Sequence, residues 1–303
     1  MKRTTRFHTA LVFLVMLAAP AGMGQAAPPA ARPATQPATA AVIAFADAYE
    51  ARIYKDANGR TLPYRLLKPK NYDTNQAYPL VLFLHGAGER GSDNISQLKN
   101  GAASLFAEDK ARAKYPCFAV APQCPEGSSW ANFRNPGAGD LMEPSRLSLD
   151  VIGALQKEFN IDPKRLYIGG LSMGAFGTWD IITRYPDLFA AAFPICGYGD
   201  ESKAALVTHI PIWAFQGEKD PVVKAERMAR MVDAVKKAGG NIQYTEYPGV
   251  KHNSWVNAFQ EPKLLEWIFS QKRAQPGSMK PATAPASLPS VSSRSGIRAR
   301  HLS

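Results

Sequence analysis

Cysteine and histidine are both scarce in this chain of 303 residues. The three cysteines, Cys117, Cys124 and Cys196, are too few for a disulfide framework, and an odd number leaves at least one thiol unpaired. We therefore expect buried free thiols. The chain has five histidines, and none lies at a spacing from a cysteine that is typical of a zinc site. The sequence thus predicts no metal site.

Acidic residues are missing from both ends of the chain. Residues 1–40 contain four lysines and arginines and residues 271–303 contain six, with no aspartate or glutamate in either range. The formal net charge of the whole chain is +11, but without these ten charges residues 41–270 carry only +1. A nearly neutral body offers no basic face to nucleic acid. We therefore expect no nucleic-acid partner.

A hydrophobic run of full membrane-spanning length is also lacking near the N-terminus. The apolar run over residues 10–23 contains Pro20 and is shorter than the roughly 20 residues that a spanning helix needs. Basic residues precede this run, and small residues follow it that suit cleavage after about Ala26. The pattern predicts a signal peptide over residues 1–26 rather than a membrane anchor. We expect a secreted or periplasmic protein with no stable membrane insertion.

Two further segments have no hydrophobic periodicity. Residues 27–40 are rich in Pro, Ala and Thr and are typical of a flexible spacer. Residues 272–303 have a similar composition with added basic residues, and we expect a disordered tail there. Between them, residues 41–271 have the length and composition of one domain.

Short apolar runs alternate with amphipathic segments along this domain. Two strands are predicted around the Asn58-Gly59 turn. Further strands are predicted over 79–86, 118–122, 165–170, 189–197, 211–217 and 242–249, and helices over 145–160, 173–186, 224–240 and 262–271. This alternation is typical of the α/β class, with a mostly parallel central sheet and helices on both faces. The connections between strands look short, so we expect no large cap domain.

The segment YIGGLSMGAFGTW, residues 167–179, contains Ser172 in the pattern G-x-S-x-G. The pattern alone arises by chance in roughly one chain in ten of this length. Here a predicted strand precedes the serine and a predicted helix follows it. Gly170 and Gly174 remove side chains that would collide at such a sharp turn, which holds the hydroxyl at the carboxyl edge of the sheet. We interpret Ser172 as a nucleophile.

A serine nucleophile needs a base and a carboxylate that orients the base. His252 follows the last predicted strand, and it is the histidine that comes after Ser172 at the carboxyl end of a strand. Asp220 follows the strand before it, with Glu218 as the alternative. Each partner alone could be an ordinary surface residue. Together, at three strand ends, the order Ser172, Asp220, His252 is that of the α/β-hydrolases and indicates a catalytic triad.

An acyl-transfer site also needs backbone donors for the developing oxyanion. The N–H of Met173, directly after the nucleophile, is one candidate. The loop HGAGERG, residues 85–91, follows a buried strand and offers the N–H of Ala87, or next that of Gly88. This glycine-rich segment could instead be a turn that only changes the direction of the chain.

Six motifs together carry a resemblance to a known group. They are LHGAGERGSDN (84–94), APQCP (121–125) with Trp130 shortly after, GLSMGAFGTW (170–179), PICGYGD (194–200), QGEKDPVV (216–223) and KHNSW (251–255). The chain resembles, over about residues 50–270, secreted bacterial α/β-hydrolases often labelled predicted peptidases or phospholipase/carboxylesterase-like. That group is related to feruloyl esterases, acetyl-xylan esterases and polyhydroxybutyrate depolymerases.

The resemblance implies an α/β-hydrolase fold with Ser172 as nucleophile, His252 as base and Asp220 as its partner. It also implies a serine esterase that needs no cofactor and acts on short acyl, acetyl or feruloyl esters, including esters linked to polysaccharide. A serine peptidase of the prolyl-oligopeptidase type would use the same triad, but this chain has no room for a large gating domain. A binding protein on a hydrolase scaffold is the third alternative.

Candidate substrate-binding residues lie in and near one long loop. The segment over residues 124–144 is long, rich in Gly and Pro, and aromatic, and long ordered loops often serve function. Trp130 could stack on a sugar or aryl ring, or it could cap the core. Glu89 and Gln123 are candidates because of their position near the expected cleft.

Overall fold

One mixed sheet of eight strands runs through residues 45–275 and 277, the part of the chain that the computed structural model describes. The strands are β1 (Tyr49–Lys55), β2 (Thr61–Leu67), β3 (Tyr78–Leu84), β4 (Phe118–Pro122), β5 (Ile161–Leu171), β6 (Ala191–Ile195), β7 (Ile212–Gly217) and β8 (Ile242–Tyr247). Their order across the sheet is β1-β2-β4-β3-β5-β6-β7-β8. The pairs β1–β2 and β2–β4 are antiparallel, and all other neighbours are parallel.

Helices cover both faces of this sheet. They are α1 (Ala102–Ala107), α2 (Asp109–Lys114), α3 (Glu143–Glu158), α4 (Met173–Arg184), α5 (Ala225–Lys237), α6 (Trp255–Phe259) and α7 (Leu264–Ser270). Side chains of β3 alternate between the two faces, because successive residues of a strand point to opposite sides. Leu80 and Leu82 pack into a core with α3, α4 and α5, whereas Val81 and Phe83 pack into a core with α1, α6 and α7.

The predicted fold class is confirmed, and the predicted strands and helices lie within a few residues of those observed. β5 begins at Ile161, earlier than the predicted residue 165, and α4 ends at Arg184. The connections are longer than expected, since residues 85–117 between β3 and β4 include α1 and α2. These helices have six residues each and α6 has five, which is too short for a clear helical stripe of apolar residues.

The ends of the chain carry several of the sequence predictions. The predicted signal peptide, the spacer and most of the basic tail lie outside the described residues. Within residues 45–275 and 277, no helix is both long and apolar enough to cross a lipid bilayer.

Candidate active site

Ser172 occupies a sharp turn between the end of β5 and the start of α4. Its backbone has φ 50° and ψ −115°, a conformation that non-glycine residues rarely adopt. The turn is held by its own N–H, which donates to the carbonyl oxygen of Ile195 on β6 at 2.9 Å. A strained residue of this kind costs on the order of 1–3 kcal/mol and persists where the surrounding structure fixes it. The turn places the half-buried Ser172 side chain at the carboxyl edge of the sheet, where it lines a cleft.

Two glycines make this turn possible because the backbone segments around it are so close. A Cβ added to Gly174 would lie 1.9 Å from the carbonyl oxygen of Leu84 on β3. A Cβ added to Gly170 would lie 2.5 Å from the carbonyl oxygen of Gly174. No side chain fits at either position, so the G-x-S-x-G pattern follows from the packing of β3, β5 and α4.

A chain of two hydrogen bonds connects Ser172 with residues after β7 and β8. The Ser172 Oγ lies 2.9 Å from Nε2 of His252, and Nδ1 of the same ring lies 2.8 Å from Oδ2 of Asp220. An imidazole in this position accepts the serine proton at Nε2 while its Nδ1–H donates to the carboxylate. The edge of Trp255 supports the ring, with centroids 5.6 Å apart at 89°. The structure therefore brings together the three residues that the sequence predicted at three strand ends.

Asp220 is buried, and both of its carboxylate oxygens are fully hydrogen-bonded. Oδ1 accepts from the N–H groups of Val222 and Val223 at 2.8 and 2.9 Å. Oδ2 accepts from Nε2 of Gln216 at 3.0 Å in addition to the His252 ring. A buried charge is tolerated when it is paired and hydrogen-bonded in this way. The network fixes the carboxylate and so fixes the orientation of His252.

Gln216 is a contributor that sequence reasoning missed. It is the fifth residue of β7, and its buried amide bridges Asp220 Oδ2 and the carbonyl oxygen of Val223, both at 3.0 Å. The segment QGEKDPVV contains it, but a glutamine in a buried strand gives no indication of its partner. The signal available in the sequence was its position four residues before Asp220.

The alternative carboxylate, Glu218, lies elsewhere. Its Oε2 accepts from the N–H of Gly249 at 2.7 Å, and its Oε1 lies 2.9 Å from Nζ of Lys219. The side chain is exposed and forms no hydrogen bond with His252. Of the two predicted partners, the one that contacts the imidazole is therefore Asp220.

Ala87 and Met173, the predicted oxyanion donors, border the same cleft as Ser172. Met173 is the first residue of α4, so its N–H is among those left unpaired at the start of a helix. Ala87 begins a short 3₁₀ turn, Ala87–Glu89, directly after the β3 strand and Gly86. Both backbone segments therefore lie at the cleft that Ser172 lines.

His85 lies behind this loop and is buried. Its Nε2 accepts the N–H of Cys124 at 2.9 Å, and its Nδ1 lies 2.6 Å from the carbonyl oxygen of Gly86. Because Nε2 is an acceptor, the ring proton resides on Nδ1 and the ring is neutral. Burial lowers the pKa of His85 to about 4, with nearby Arg90 contributing in the same direction.

Trp130 is a core residue in the structure. It has 0% of its surface exposed, its Nε1–H donates to the carbonyl oxygen of His85 at 2.9 Å, and its ring packs edge-on against His85. A fully buried ring has no face to offer a sugar. Of the two interpretations of Trp130, capping the core fits this position, and the substrate-stacking interpretation does not.

Gln123 and Glu89 also differ from the predicted substrate-binding residues. Gln123 is completely buried, and its amide holds the loop after β3 by accepting from the N–H of Asn94 at 2.7 Å and donating to Asp93 Oδ1 at 2.8 Å. Glu89 is 7% exposed and accepts from Nδ2 of Asn100 at 2.7 Å, and burial raises its pKa. The sequence predicted Gln123 and Glu89 near the cleft because of their positions in the chain. In the structure both side chains are buried and form hydrogen bonds with neighbouring loops.

The three cysteines lie in the interior of the protein. Cys117, Cys124 and Cys196 are buried free thiols, as expected, and burial raises the pKa of Cys117 to about 12 and that of Cys124 to about 11. Across residues 45–275 and 277, no cluster of three or more His, Cys, Asp or Glu side chains is placed to hold a metal ion.

The mostly parallel sheet and the strained serine at a strand-to-helix turn are the features of an α/β-hydrolase, and the chain has that fold. The sequence model of the Dienelactone hydrolase family matches residues 142–264. This range includes Ser172, Asp220 and His252.

Similar sequences include two named enzymes. A bifunctional acetylxylan esterase/xylanase from Neocallimastix patriciarum is 25% identical over 175 residues, which are 58% of this chain and 24% of that protein. A poly(3-hydroxyalkanoate) depolymerase C from Paucimonas lemoignei is 32% identical over 123 residues, which are 39% of this chain and 28% of that protein. The chain thus spans about a quarter of the length of these relatives.

Solved structures agree on the fold. The crystal structure of a thermostable esterase superposes with a TM-score of 0.72 at 42% identity, covering 76% of this chain and 64% of that one. A feruloyl esterase module from Clostridium thermocellum superposes with a TM-score of 0.57 at 20% identity, covering 74% of this chain and 88% of that one. The second likeness concerns the fold alone.

Proposed function

We propose that this α/β-hydrolase is a serine esterase that cleaves carboxylic esters through an acyl-enzyme on Ser172. The observation that carries the proposal is the chain of hydrogen bonds from Ser172 Oγ to His252 at 2.9 Å and on to Asp220 at 2.8 Å. A serine hydroxyl is a weak nucleophile until an adjacent base accepts its proton. Here the base, its orienting carboxylate and the strained serine already have the geometry of that chemistry.

In the first half of the reaction, the Ser172 oxygen attacks the ester carbonyl carbon while His252 Nε2 takes the hydroxyl proton. The N–H groups of Met173 and Ala87 stabilise the oxyanion of the tetrahedral intermediate. The imidazolium then protonates the departing alkoxide, the carbon–oxygen bond to the alcohol breaks, and the acyl group remains on Ser172. Asp220 stabilises the imidazolium without itself taking the proton.

Water completes the cycle by the same route. His252 removes a proton from water, the resulting hydroxide attacks the acyl-enzyme, and the second tetrahedral intermediate forms in the same oxyanion site. Collapse releases the carboxylic acid and returns the proton to Ser172 Oγ. Each turnover consumes one water and yields one acid and one alcohol, and the scheme requires no metal or cofactor.

The proposed substrates are short acyl esters, including acetyl or feruloyl esters linked to polysaccharide. The names of two similar proteins, an acetylxylan esterase/xylanase and a feruloyl esterase module, support this class. The absence of a large cap from the described residues leaves Ser172 at an open cleft of about 570 Å³, which suits small groups on a larger carrier.

We also propose that the protein is exported, on the basis of the basic and apolar residues at its N-terminus. Expression of the full chain followed by N-terminal sequencing of the extracytoplasmic protein tests this. A new N-terminus close to Ala27 supports cleavage. An intact N-terminus on a membrane-bound protein supports the anchor instead.

The activity test compares acid release from acetylated xylan, methyl ferulate, p-nitrophenyl acetate and a proline-containing peptide amide. Wild type is measured beside Ser172→Ala and beside Ser202→Ala, which changes an exposed serine whose hydroxyl donates to Asp200 Oδ1 at 2.7 Å. Ester turnover that is lost only in Ser172→Ala supports the esterase. Peptide cleavage without ester cleavage favours a peptidase, and no turnover by any protein favours the binding-protein alternative.

A further inference from the structure

The cleft beside Ser172 has an unusual combination of side chains. Its volume is about 570 Å³, and its lining includes three aromatic and three cationic residues, Phe133, Phe176, Tyr198, Arg90, Lys224 and Arg227. No aspartate or glutamate is among the described residues that line it. Since residues 41–270 carry a net charge of only +1, a local excess of three cations at the nucleophile is not a general property of the surface.

The aromatic residues form a continuous apolar wall. Phe176 follows Ser172 by one turn of α4 and packs edge-on against Tyr198, with ring centroids 4.9 Å apart, and its centroid lies 6.3 Å from that of Phe133. Phe133 is 45% exposed and Val222, also in the cleft, is 67% exposed. These two are half of the four large hydrophobic side chains that the described part of the chain leaves exposed. Exposed apolar groups gathered at a cleft mark a binding surface.

Two of the cations, Arg227 and Lys224, form no salt bridge with any residue that the structure describes. Arg227 lies with its guanidinium carbon 4.5 Å from the centroid of the Tyr198 ring, and within residues 45–275 and 277 no carboxylate lies within 4.0 Å of Arg227 or Lys224. The next arginine on the same helix, Arg230, is different because it pairs with Glu201 at 3.2 Å. A guanidinium stacked on an aromatic ring keeps its N–H edge free for a planar anion.

The third cation is held in place by the loops around the site. The Arg90 Nε–H donates to the carbonyl oxygen of Ser128 at 2.6 Å, and its Nη1 donates to that of Ala87 at 3.3 Å. Carbonyl oxygens orient the guanidinium but do not neutralise its charge. Arg90 therefore adds positive potential at the edge of the cleft that also carries the proposed oxyanion donor.

We propose that this cleft selects esters that carry a carboxylate at the far end of an aromatic or apolar segment. The segment would lie against Phe176, Phe133 and Val222, and the carboxylate would meet Arg227 and Lys224. This inference rests on the proposed esterase function and names its substrate class. It predicts a preference that a neutral ester of the same shape does not share.

Two methyl esters of nearly identical shape test the preference, methyl 4-carboxycinnamate and methyl 4-carbamoylcinnamate, which differ in one negative charge. Values of kcat/KM are divided by the rate constants for hydroxide-catalysed hydrolysis, which removes the difference in intrinsic reactivity. For wild type we expect the corrected ratio of anionic to neutral ester to be about 10 or more at low salt, and to fall as salt screens the charges.

Variants at Lys224, the residue before α5, and at Arg227, within α5, show which side chains cause the preference for the anionic ester. Arg227→Gln and Lys224→Gln together are expected to bring the ratio to about 1, chiefly through a higher KM for the anionic ester, whereas Arg227→Lys retains part of the preference. Arg230→Gln is the matched control, because it removes a charge from the same helix outside the cleft. It is expected to keep the wild-type ratio.

The outcomes separate this inference from the function on which it rests. If wild type hydrolyses p-nitrophenyl acetate but shows a corrected ratio of 1 or less, the anionic preference is wrong and the esterase stands. A ratio that survives the loss of both Arg227 and Lys224 also overturns it. If no ester is hydrolysed, including p-nitrophenyl acetate, the proposed function fails and the substrate class fails with it.

Discussion

The Nδ1 atom of His85 lies 2.6 Å from the carbonyl oxygen of Gly86, the residue that follows it. That carbonyl belongs to the same peptide unit as the N–H of Ala87, and a planar trans peptide directs the two groups in opposite directions. By holding the carbonyl, the buried imidazole turns the Ala87 N–H away from itself, and Ala87 lines the Ser172 cleft. His85 is thus a positioning residue for one of the two proposed oxyanion donors.

Loss of this hydrogen bond should lower catalysis more than binding. We expect His85→Ala to reduce kcat by about 100-fold with little change in KM, because removal of one oxyanion donor costs on the order of 100- to 1,000-fold. His85→Asn places a donor near the former Nδ1 and should recover part of the loss. Steady-state kinetics with p-nitrophenyl acetate give kcat and KM for each variant. An equal loss of kcat in His85→Ala and His85→Asn would argue against the positioning role.

The same residue predicts a dependence of stability on pH. Burial lowers the pKa of His85 from 6.5 to about 4, so between these values the unfolded chain binds a proton that the folded protein does not. The free energy of unfolding should therefore fall as the pH drops through this window, by about 3 kcal/mol from this group. Urea unfolding at pH 7 and pH 4 should show a larger fall in wild type than in His85→Asn. An equal fall in the free energy of unfolding of the two proteins would show that His85 does not cause the pH dependence.

Asp220 and Glu218 provide a matched pair of carboxylates two residues apart. In Asp220→Asn the amide cannot accept all four hydrogen bonds that the buried carboxylate accepts, and it cannot stabilise the imidazolium. We expect kcat to fall by about 1,000-fold or more with a small change in KM. Glu218→Gln changes an exposed side chain and should stay within about two-fold of wild type. Similar losses in both variants would remove Asp220 from the proposed mechanism.

Gly174 and Gly88 provide a matched pair of glycines for a test of stability. A methyl group at Gly174 would lie 1.9 Å from the carbonyl oxygen of Leu84, whereas a methyl group at Gly88 meets nothing within 4 Å. Gly174→Ala should therefore lower the free energy of unfolding by about 3 kcal/mol, since overpacking forces the backbone to shift. Gly88→Ala should leave it nearly unchanged in urea unfolding. A tolerated methyl group at Gly174 would show that β3 and α4 can separate without loss.

Much of this architecture could be predicted because its causes are local in sequence. Strands such as β3 and β4 are continuous apolar runs. Ser172 directly follows β5, and Asp220 and His252 follow the ends of β7 and β8 by three and five residues. The carboxyl ends of parallel strands share one edge of a sheet, so three residues far apart in the chain had to converge. Pattern and chain order sufficed for their placement.

The direction of loop side chains was not predictable in the same way. Trp130, Gln123 and Glu89 lie in segments without periodicity, and their burial depends on contacts with His85, Asn94 and Asn100 that only the folded chain brings together. The bridge from Gln216 to Asp220 depends on a turn after β7 whose geometry the sequence did not define. Nearness to a cleft therefore says little about which way a side chain faces.

Covalent labelling examines the activation of the Ser172 nucleophile by His252 without any assumption about the substrate. The folded wild-type protein is treated with a fluorophosphonate, and the modified residue is found by peptide mass spectrometry. We expect one equivalent of label on Ser172, no label in Ser172→Ala, and a labelling rate at least about 100-fold lower in His252→Gln. Label on another residue, or an equal rate in His252→Gln, would contradict it.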